Sequence, residues 1–385
     1  MKPDIIRFAA EVIRSSTKLN PADQALRGAL KFSDAQLSRA MKRDISFTVF
    51  NYYRWKGWLT QKTSIESKID WSLELASRYR TNPVTLPAGI IRAKAVPEWV
   101  WDEIPVNDPW LWTLQREPKL WLRARLGQGK TLAKNLGEAR VAKEVLMADA
   151  VEYYGLQDLF KSESYTSGAF EVQDIASQAV GWLCAPGDRE TWWDTCAGEG
   201  GKTLHLADLL QGKGQVFASD RADWRLARLK QRAVRANIQN YQAAEWDGGA
   251  KLPFHGPFDG VLVDAPCSGI GTWQRNPHAR WTLGLKDVQE LAVIQKNLLT
   301  HAASAVKPGG KLIYAVCTLT RSEGEDVAQF FNETQPGFEP LPLAQLATDA
   351  QTKNLAVPAS TRTIWPQEFG GNGMFVAAWR RKPGA

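Results

Sequence analysis

The sequence predicts an α/β domain with a mostly parallel sheet, preceded by a domain built from helices. Beyond about residue 170, short apolar segments alternate with amphipathic ones, which is typical of a parallel sheet with helices on both faces. A glycine-rich loop at 194–203 separates the first of these segments from a helical pattern. In residues 3–80, apolar side chains instead recur at helical spacing.

The elements follow from these patterns. Strands are predicted at 192–196, 215–220, 242–247, 258–264, 311–317 and 374–379, and helices at 203–211, 222–237, 286–305 and 323–333. Upstream, helices are predicted from residue 3, over 21–32 and over 33–58. Six prolines between residues 80 and 118 predict a connector with at most one short helix near Trp99. Residues 121–136 predict a strand, a basic glycine turn and a helix.

Positive charge is concentrated in the N-terminal part of the chain. Residues 1–150 contain 25 Lys and Arg against 16 Asp and Glu, a net charge of +9, whereas residues 151–385 carry a net −2. This asymmetry favours a polyanion that contacts the N-terminal part, with ordinary solubilising charge as the alternative.

Several classes of protein are excluded by composition. All four cysteines and all four histidines lie beyond residue 183, and none has C-x-x-C or H-x-x-x-H spacing, so we expect neither a metal site nor a disulfide framework. No apolar segment approaches the roughly eighteen residues of a membrane span, and the first twenty residues lack the apolar core of a signal peptide. We therefore expect a cytoplasmic protein.

A ligand site is predicted at the carboxyl edge of the sheet. The loop at 194–203 lies between a strand and a helix, where glycines let the backbone approach a ligand. Asp220, Asp247 and Asp264 end the next three predicted strands, and Asp220 is spaced to hold a ribose diol. These residues do not identify the ligand, because a nicotinamide dinucleotide would fit them as well as another ribose-containing cofactor. Each acid taken singly could instead cap a helix.

Two cysteines distinguish this edge from an ordinary nucleotide site. Cys267 follows the strand that ends at Asp264, and Cys317 ends the neighbouring strand. Core packing does not explain two thiols at adjacent strand ends on the ligand side. Cys184 is instead expected in the core, and Cys196 is expected in the glycine loop for its small size.

Four motifs lie between residues 172 and 325 of the chain: VQDIASQ (172–178), DTCAGEGGKT (194–203), DAPCSGIGTWQRNPHARW (264–281) and VCTLTRSEGE (316–325). They resemble those of the RNA cytosine-5 methyltransferase superfamily, in particular its bacterial 16S ribosomal-RNA type (Fmu/Sun). The corresponding family patterns are V-Q-D-x-x-S-Q, D-x-C-A-A-P-G-G-K-T, D-A-P-C-S-G-x-G and T-C-S followed by E-N-E. The order of the motifs is the same, and the resemblance extends from about residue 170 to 385.

The resemblance implies a class I methyltransferase fold, Rossmann-like with a mostly parallel seven-stranded sheet, that uses S-adenosylmethionine. It implies that Cys317 adds to carbon 6 of a cytosine, that Cys267 assists release, and that Asp264 and Lys202 also contact the base. The cofactor contacts implied are Cys196, Ala197, Gly198, Glu199, Gly200, Gly201, Lys202, Asp220, Asp247 and Asp264.

The chain departs from the family pattern at a few positions. Gly198 and Glu199 replace Ala-Pro in the loop, which places a carboxylate near the cofactor. Val316 precedes the nucleophile where Thr is usual, Gly324 replaces the Asn of E-N-E, and His278 replaces the Asp of N-P-D. None of these changes removes a residue that the chemistry needs.

The resemblance also implies a domain organisation. Residues 1–95 are expected to form a helical RNA-binding domain, 96–165 a connector with a small basic RNA-contacting domain, and 166–385 the methyltransferase domain of a monomer. Phosphate contacts are expected from Lys119, Arg123, Arg125, Lys130 and Lys134. The aromatic side chains of Tyr52, Tyr53, Trp55 and Trp58 are expected in the helical core rather than stacked on bases.

Three functions remain open on the sequence. The first is methylation of a cytosine in ribosomal RNA, most naturally 16S. The second is the same chemistry on transfer RNA, and the third is a non-catalytic RNA-binding factor for ribosome assembly. The intact Cys317, Cys267, Asp264 and Lys202 disfavour the third. A DNA methyltransferase would use the cysteine of the Pro-Cys segment, here Cys267, as its nucleophile, and Cys317 would then have no assigned function.

Overall fold

The chain forms two compact units in a computed structural model that describes residues 3–33, 37–83, 86–142, 147–347 and 350–384, without the side chains of 350 and 351. The helical unit contains Met1–Pro118 and Ile270–Asp287, and the sheet unit contains Lys119–Gly269 and Val288–Ala385. The domain boundaries predicted at residues 95 and 165 do not coincide with these divisions, and the functions assigned to the three domains stay predictions. Among the helices of the described ranges, none combines the length and apolar composition that spanning a bilayer requires.

Seven helices lie in the N-terminal part of the helical unit as far as the chain is described. They are α1 (Pro3–Ser15), α2 (Ala22–Phe32), α3 (Arg39–Arg54), α4 (Ile65–Thr81), α5 (Ala88–Lys94), α6 (Val100–Glu103) and α7 (Asp108–Thr113). The predicted start of the third helix falls partly on residues 34–36, outside the described ranges. The hydroxyl of Ser38 instead accepts from the Met41 N–H at 3.2 Å, so α3 begins at Arg39.

The prediction of at most one helix between residues 80 and 118 was wrong. Pro87 directly precedes α5, and Pro109 lies in the first turn of α7. Proline at these positions costs no hydrogen bond, because the first N–H groups of a helix have no partner within it. The prolines therefore begin short helices in this segment instead of preventing them.

The aromatic stretch after α3 is buried, as predicted. Tyr52, Tyr53, Trp55 and Trp58 are each at most 8% exposed, and the Trp55 and Trp58 rings pack edge to face with centroids 5.0 Å apart. These side chains therefore belong to the core of the helical unit.

Arg280 ties separate segments of the helical unit together. Its side chain is fully buried, and its guanidinium donates to the carbonyls of Arg54 at 3.4 Å, Ala95 at 3.0 Å and Leu114 at 3.1 Å. Burial lowers the pKa of Arg280 to about 9. The second half of the motif at 264–281 thus contributes a structural side chain to this unit.

The sheet unit begins with a small antiparallel sheet. Its strands are β1 (Leu120–Ala124), β2 (Ala139–Ala142), β3 (Met147–Tyr153) and β4 (Phe170–Val172) in the order β2-β3-β1-β4, and its helices are α8 (Gly129–Leu136) and α9 (Glu163–Thr166). The strand, turn and helix predicted at 121–136 are confirmed as β1 and α8. The other three strands were not predicted. β2 and β4 have only four and three residues, too few for an alternation to be evident, and in the seven-residue β3 the buried Asp149 interrupts the apolar alternation.

The large sheet follows. Its strands are β5 (Thr191–Asp194), β6 (Gln215–Asp220), β7 (Tyr241–Glu245), β8 (Phe258–Asp264), β9 (Val306–Val316), β10 (Phe338–Pro340), β11 (Thr361–Ile364) and β12 (Met374–Arg381). The helices are α10 (Ile175–Cys184), α11 (Gly201–Leu209), α12 (Asp223–Arg235), α13 (Leu285–Ala303), α14 (Glu325–Thr334) and α15 (Pro366–Phe369). All six predicted strands and four predicted helices are present, with ends that differ by a few residues.

The large sheet is mixed. Its order is β10-β12-β9-β8-β5-β6-β7, and β11 pairs with β12 outside this path, so the described residues form eight strands where seven were expected. The five strands from β9 to β7 are parallel, and β12 pairs antiparallel with β9, β10 and β11. The carboxyl ends of the parallel strands therefore share one edge.

Side chains of the large sheet alternate between two apolar cores. Trp192 packs in the core that α10 and α11 cover, and Trp193 packs in the core that α13 and α14 cover. Both tryptophans are fully buried. Because successive strand residues point to opposite faces, helices on both faces hold the sheet rigid, and the carboxyl edge is left as the place for a site.

We expect Arg280→Met to lower the free energy of unfolding by about 2–4 kcal/mol, because three buried carbonyls lose their donor. Urea unfolding followed by tryptophan fluorescence measures the change. Arg275→Met is the matched control, since Arg275 lies in the same segment and is exposed. Equal stability of the two variants would contradict the assigned structural function of Arg280.

Candidate active site

The loop between β5 and α11 turns at two glycines. Gly198 and Gly200 have φ of +54° and +88°, in the region that favours glycine. A Cβ on Gly200 would lie 2.6 Å from Cγ of Leu229, so a larger residue would collide with α12. The Gly198 N–H donates to Oδ2 of Asp220 at 3.0 Å, and the Ala197 N–H donates to the Ser219 carbonyl at 2.8 Å. The end of β6 thus fixes the shape of the loop.

A cavity of about 290 Å³ lies beside this loop at the carboxyl edge of the sheet. Four of the predicted cofactor residues line it, Cys196, Asp220, Asp247 and Asp264. The other predicted loop residues, from 197 to 202, do not. The lining also includes residues that the sequence analysis did not single out, among them Arg221, Arg225, Trp246, Pro266, Ile294 and Leu298.

Some of the lining residues that were missed could have been predicted from the sequence, and others could not. Trp246 directly precedes Asp247 after β7 and could have been found from that position. Ile294 and Leu298 lie one turn apart on α13 and are indistinguishable from ordinary core residues in the sequence. Their side chains add apolar surface to a cavity that the acids also line.

The unusual Glu199 is paired with a basic side chain. Its carboxylate accepts from Nη1 of Arg228 on α12 at 2.7 Å, and its carbonyl accepts from Nη1 of Arg232 at 2.7 Å. The side chains of Glu199 and Arg228 are 39% and 54% exposed. The added carboxylate is therefore neutralised by α12.

Lys202 and Asp264 form a close ion pair. The Lys202 ammonium donates to Oδ2 of Asp264 at 2.6 Å, and the lysine side chain is 8% exposed. Burial alone would lower the pKa of Lys202, but the charge of Asp264 and this hydrogen bond outweigh it, and the pKa is raised. Asp194, fully buried at the end of β5, accepts from the Thr203 hydroxyl at 2.7 Å, and burial raises its pKa to about 7.

The two predicted thiols lie in contact. Asp264 pairs with Ala315 in the parallel register of β8 and β9, and Cys267 and Cys317 follow a few residues beyond. Their Sγ atoms are 3.2 Å apart. This is hydrogen-bonding distance for thiols, although the two residues are separated by fifty positions.

The contact polarises the pair. The hydrogen bond from Cys267 lowers the pKa of the Cys317 thiol and outweighs burial and the charge of Asp264, which raise it; the positive charge of Lys202 adds to the lowering. The same hydrogen bond, together with burial, raises the pKa of Cys267 well above its usual range. Cys317 is therefore the thiol that ionises more readily, and the thiolate is the nucleophilic form of cysteine.

A buried glutamate that the sequence analysis missed connects the two cysteine loops. Glu323 is fully buried, and its Oε1 accepts from the Ser268 N–H at 2.8 Å and from the Gln295 amide at 2.9 Å. Its Oε2 accepts from the hydroxyls of Ser268 at 2.5 Å, Thr320 at 2.9 Å and Thr318 at 3.1 Å. Ser268 follows Cys267, and Thr318 follows Cys317, so one carboxylate holds both thiol-bearing loops.

The remaining departures from the family pattern have local partners. Val316 is fully buried in the sheet core. A Cβ on Gly324 would lie 3.0 Å from the Phe375 ring, so Phe375 occupies the space that an asparagine would need. His278, 3% exposed, packs edge to face on Tyr53 in the helical unit at 4.6 Å.

Three of the five residues predicted to contact phosphates form ion pairs within the protein. Arg123 is 3% exposed and pairs with Asp208 and Gln173, and Arg125 pairs with Asp208 at 2.8 Å. For Arg123 the expectation was wrong, because its buried guanidinium is held by Asp208 on α11 and by Gln173; for Arg125, whose side chain is 19% exposed, it stays a prediction. Lys130 and Lys134 on α8 are exposed, and Lys119 pairs with Glu152 at 3.3 Å. Cys184 is fully buried, as expected.

Within the described part of the chain, no group of three or more His, Cys, Asp or Glu side chains is arranged to bind a metal ion.

Comparison with known proteins connects this geometry to a family. A family model described as "16S rRNA methyltransferase RsmB/F" matches residues 182–380. The "Probable ribosomal RNA small subunit methyltransferase B" of Synechocystis sp. is 34% identical over 217 residues, which are 55% of this chain and 48% of that protein. The chain spans about half the length of the curated relatives it matches.

Solved structures share the fold. The crystal structure of PH0851 superposes with a TM-score of 0.77 at 22% identity, covering 99% of each chain. The structure of NSun6 from Pyrococcus horikoshii with SFG superposes with a TM-score of 0.51 at 24% identity, covering 58% of this chain and 56% of that one.

We expect Cys267→Ala to raise the pKa of the Cys317 thiol, because the thiolate loses its hydrogen-bond donor. The measurement is the rate of iodoacetamide alkylation of the Cys317 peptide against pH, followed by mass spectrometry. Cys267→Ser is the matched control, since its hydroxyl can still donate. Identical profiles for Cys267→Ala and the unmodified chain would contradict the assigned polarisation.

We expect Glu323→Gln to lower the free energy of unfolding by about 2–4 kcal/mol, because the amide NH₂ would face hydroxyl and N–H donors. Alkylation of Cys317 should also change its pH midpoint, since the loops no longer hold the two thiols at a fixed distance. Glu333→Gln, at an exposed site on α14, is the control. A stable Glu323→Gln variant with an unchanged Cys317 profile would show that the carboxylate does not position the thiols.

Proposed function

The chain belongs to the RsmB/F family of 16S rRNA methyltransferases, and from that membership we propose that it methylates carbon 5 of a cytosine in 16S ribosomal RNA with S-adenosylmethionine as methyl donor. The observation that carries the proposal is the contact of Cys267 and Cys317 at 3.2 Å, beside an acid-lined cavity at the sheet edge. Both side chains also pack against the sheet cores, but packing alone does not require two thiols in contact, whereas cytosine methylation uses a thiol for attack and a second group for release.

The cavity supports the binding of S-adenosylmethionine. Asp220, 5% exposed, ends β6 where its carboxylate can accept from ribose hydroxyls, although both its oxygens already accept from backbone N–H groups. Trp246, Ile294 and Leu298 supply apolar surface for the adenine ring. When bound, the cofactor supplies an electrophilic methyl group on its sulfonium.

The thiols divide the remaining chemistry. The Cys317 thiolate forms a bond to carbon 6 of the cytosine, and the ring electrons that it displaces make carbon 5 nucleophilic. After methylation, a base removes the proton from carbon 5, and the bond between sulfur and carbon 6 breaks as the double bond reforms. Cys267, in contact with the departing sulfur, is placed to assist that release.

Asp264 and Lys202 are assigned to binding of the cytosine ring. The Asp264 carboxyl is placed to hold the ring nitrogen and the exocyclic amine of cytosine, which stabilises the adduct. The Lys202 ammonium, bound to Asp264, fixes the orientation of that carboxyl and partly offsets the effect of its charge on the Cys317 thiolate. The target cytosine must leave its helix, because a stacked base does not admit a thiol and a methyl donor to its faces.

RNA binding is assigned mainly to residues 1–150, which carry the positive charge. We expect the protein to act on ribosomal RNA as a monomer in the cytoplasm. Transfer RNA is the comparison substrate, since the catalytic motifs do not distinguish the two.

The deciding experiment incubates 16S ribosomal RNA with methyl-labelled S-adenosylmethionine and separates the products on a denaturing gel. Cys317→Ala should transfer no methyl group and form no covalent complex. Cys267→Ala should instead accumulate a denaturation-resistant complex of protein and RNA, because attack proceeds and release fails. Cys184→Ala is the matched control and should behave like the unmodified chain, since this cysteine is buried in the core.

Two results would overturn these assignments. A covalent complex with Cys317→Ala and none with Cys267→Ala would reverse the functions of the thiols. Failure of the unmodified chain to methylate 16S ribosomal RNA, with or without methylation of transfer RNA, would refute the proposed substrate.

A further inference from the structure

The helical unit contains a cavity of its own, formed by α3, α4 and the segment that follows α7. Its volume is about 280 Å³. The side chains that matter are the buried Arg54 and Gln115, the aromatic Phe47 and Tyr79, and the arginines Arg80 and Arg116. All of them belong to the helical unit, and none of them is among the residues of the thiol site, which belong to the sheet unit.

Gln115 leaves both ends of its carboxamide without a partner. The residue is 3% exposed, and neither Nε2 nor Oε1 makes a hydrogen bond within the described residues. A buried amide in this state is costly, and native proteins rarely tolerate one without a ligand or water. A carboxamide presents a donor beside an acceptor, which is the arrangement that complements the edge of a nucleobase.

Arg54 places an under-satisfied cation in the same cavity. Its side chain is 3% exposed, its Nε has no partner within the described ranges, and its Nη2 donates to the Gln274 carbonyl at 3.3 Å. Burial lowers the pKa of Arg54 to about 10, although the charge of Glu117 opposes this. A buried guanidinium that lacks a carboxylate salt bridge is stabilised by a ligand rich in acceptors.

The rim of the cavity is basic and exposed. The Arg80 side chain is 68% exposed, and its guanidinium lies over the Phe47 ring, 5.9 Å from the centroid. Arg116 is exposed beside it, and Glu117 pairs with Arg80 only at 3.4 Å. Exposed arginines over an aromatic side chain are suited to a phosphate with an attached base.

We propose that this cavity binds one unpaired nucleotide of the RNA substrate. Its base enters between Phe47 and Tyr79 and hydrogen-bonds with Gln115, and its phosphate lies at Arg80 and Arg116. The inference rests on the proposed function, which supplies the RNA. It adds a recognition site in the helical unit, separate from the cytosine that is methylated.

Binding of a short, fluorescently labelled single-stranded RNA to the full chain, followed by anisotropy, tests the site. Gln115→Leu keeps the side-chain volume and removes donor and acceptor, so we expect affinity to fall about fivefold to tenfold. Arg116→Gln should reduce the slope of log affinity against log salt by about one phosphate contact. Gln61→Leu, exposed in the same unit, is the control and should bind as the unmodified chain does.

A second measurement does not depend on the stability of a variant. RNA that carries 4-thiouridine is cross-linked to the unmodified chain by light, and the labelled peptides are mapped by mass spectrometry. Cross-links to peptides containing Phe47 or Tyr79 support the site. Nucleoside monophosphates should compete with RNA only weakly, because RNA also makes contacts outside this cavity.

Results that would contradict the nucleotide site can be distinguished from results that would contradict the proposed methylation. Unchanged RNA affinity in Gln115→Leu, or cross-links confined to other peptides, would overturn the nucleotide site while leaving methylation intact. Competition by a free mononucleotide as strong as that by RNA would show a site for a free nucleotide instead. A failure of the proposed function would appear as absent methylation by the unmodified chain, whatever the cross-links show.

Discussion

The parallel pairing of β8 with β9 determines where the reactive side chains of this protein lie. The pairing runs in register from Gly260 with Lys311 to Asp264 with Ala315, so both strands end at the same edge of the sheet. Two cysteines that are distant in sequence are thereby brought to 3.2 Å. At that distance one thiol donates to the other, and the pKa of Cys317 falls while that of Cys267 rises. Backbone pairing thus produces a chemical difference between two identical side chains.

Glu323 keeps that geometry fixed. A fully buried carboxylate is tolerated because N–H, amide and hydroxyl donors surround it, and these donors come from both thiol-bearing loops and from α13. Loss of the charge would leave several donors unpaired at once, so the loops are coupled through one group. The same principle operates at Arg280 in the helical unit, where one buried cation satisfies carbonyls from three segments.

Local patterns made most of the large sheet and its edge predictable. Asp264, Cys267 and Cys317 lie in short motifs whose position after a strand can be read directly, and the structure places them together. Hydrogen-bond and ion-pair partners that only tertiary packing brings together could not be predicted from the sequence. Glu323 lies inside a motif, yet several of its hydrogen-bond donors come from other segments. The sequence around Arg123 suggested a phosphate contact, but its guanidinium is paired with Asp208. The short β2 and β4 carry too few residues to show a period.

The proposed methylation of 16S ribosomal RNA through Cys317 can be tested in cells. Bisulfite sequencing of 16S ribosomal RNA compares cells that lack the gene with the same cells supplied with the unmodified chain or with Cys317→Ala. The account predicts one cytosine that is protected from conversion with the unmodified chain and converted in the other two. Protection that persists without the gene, or that Cys317→Ala restores, would contradict it.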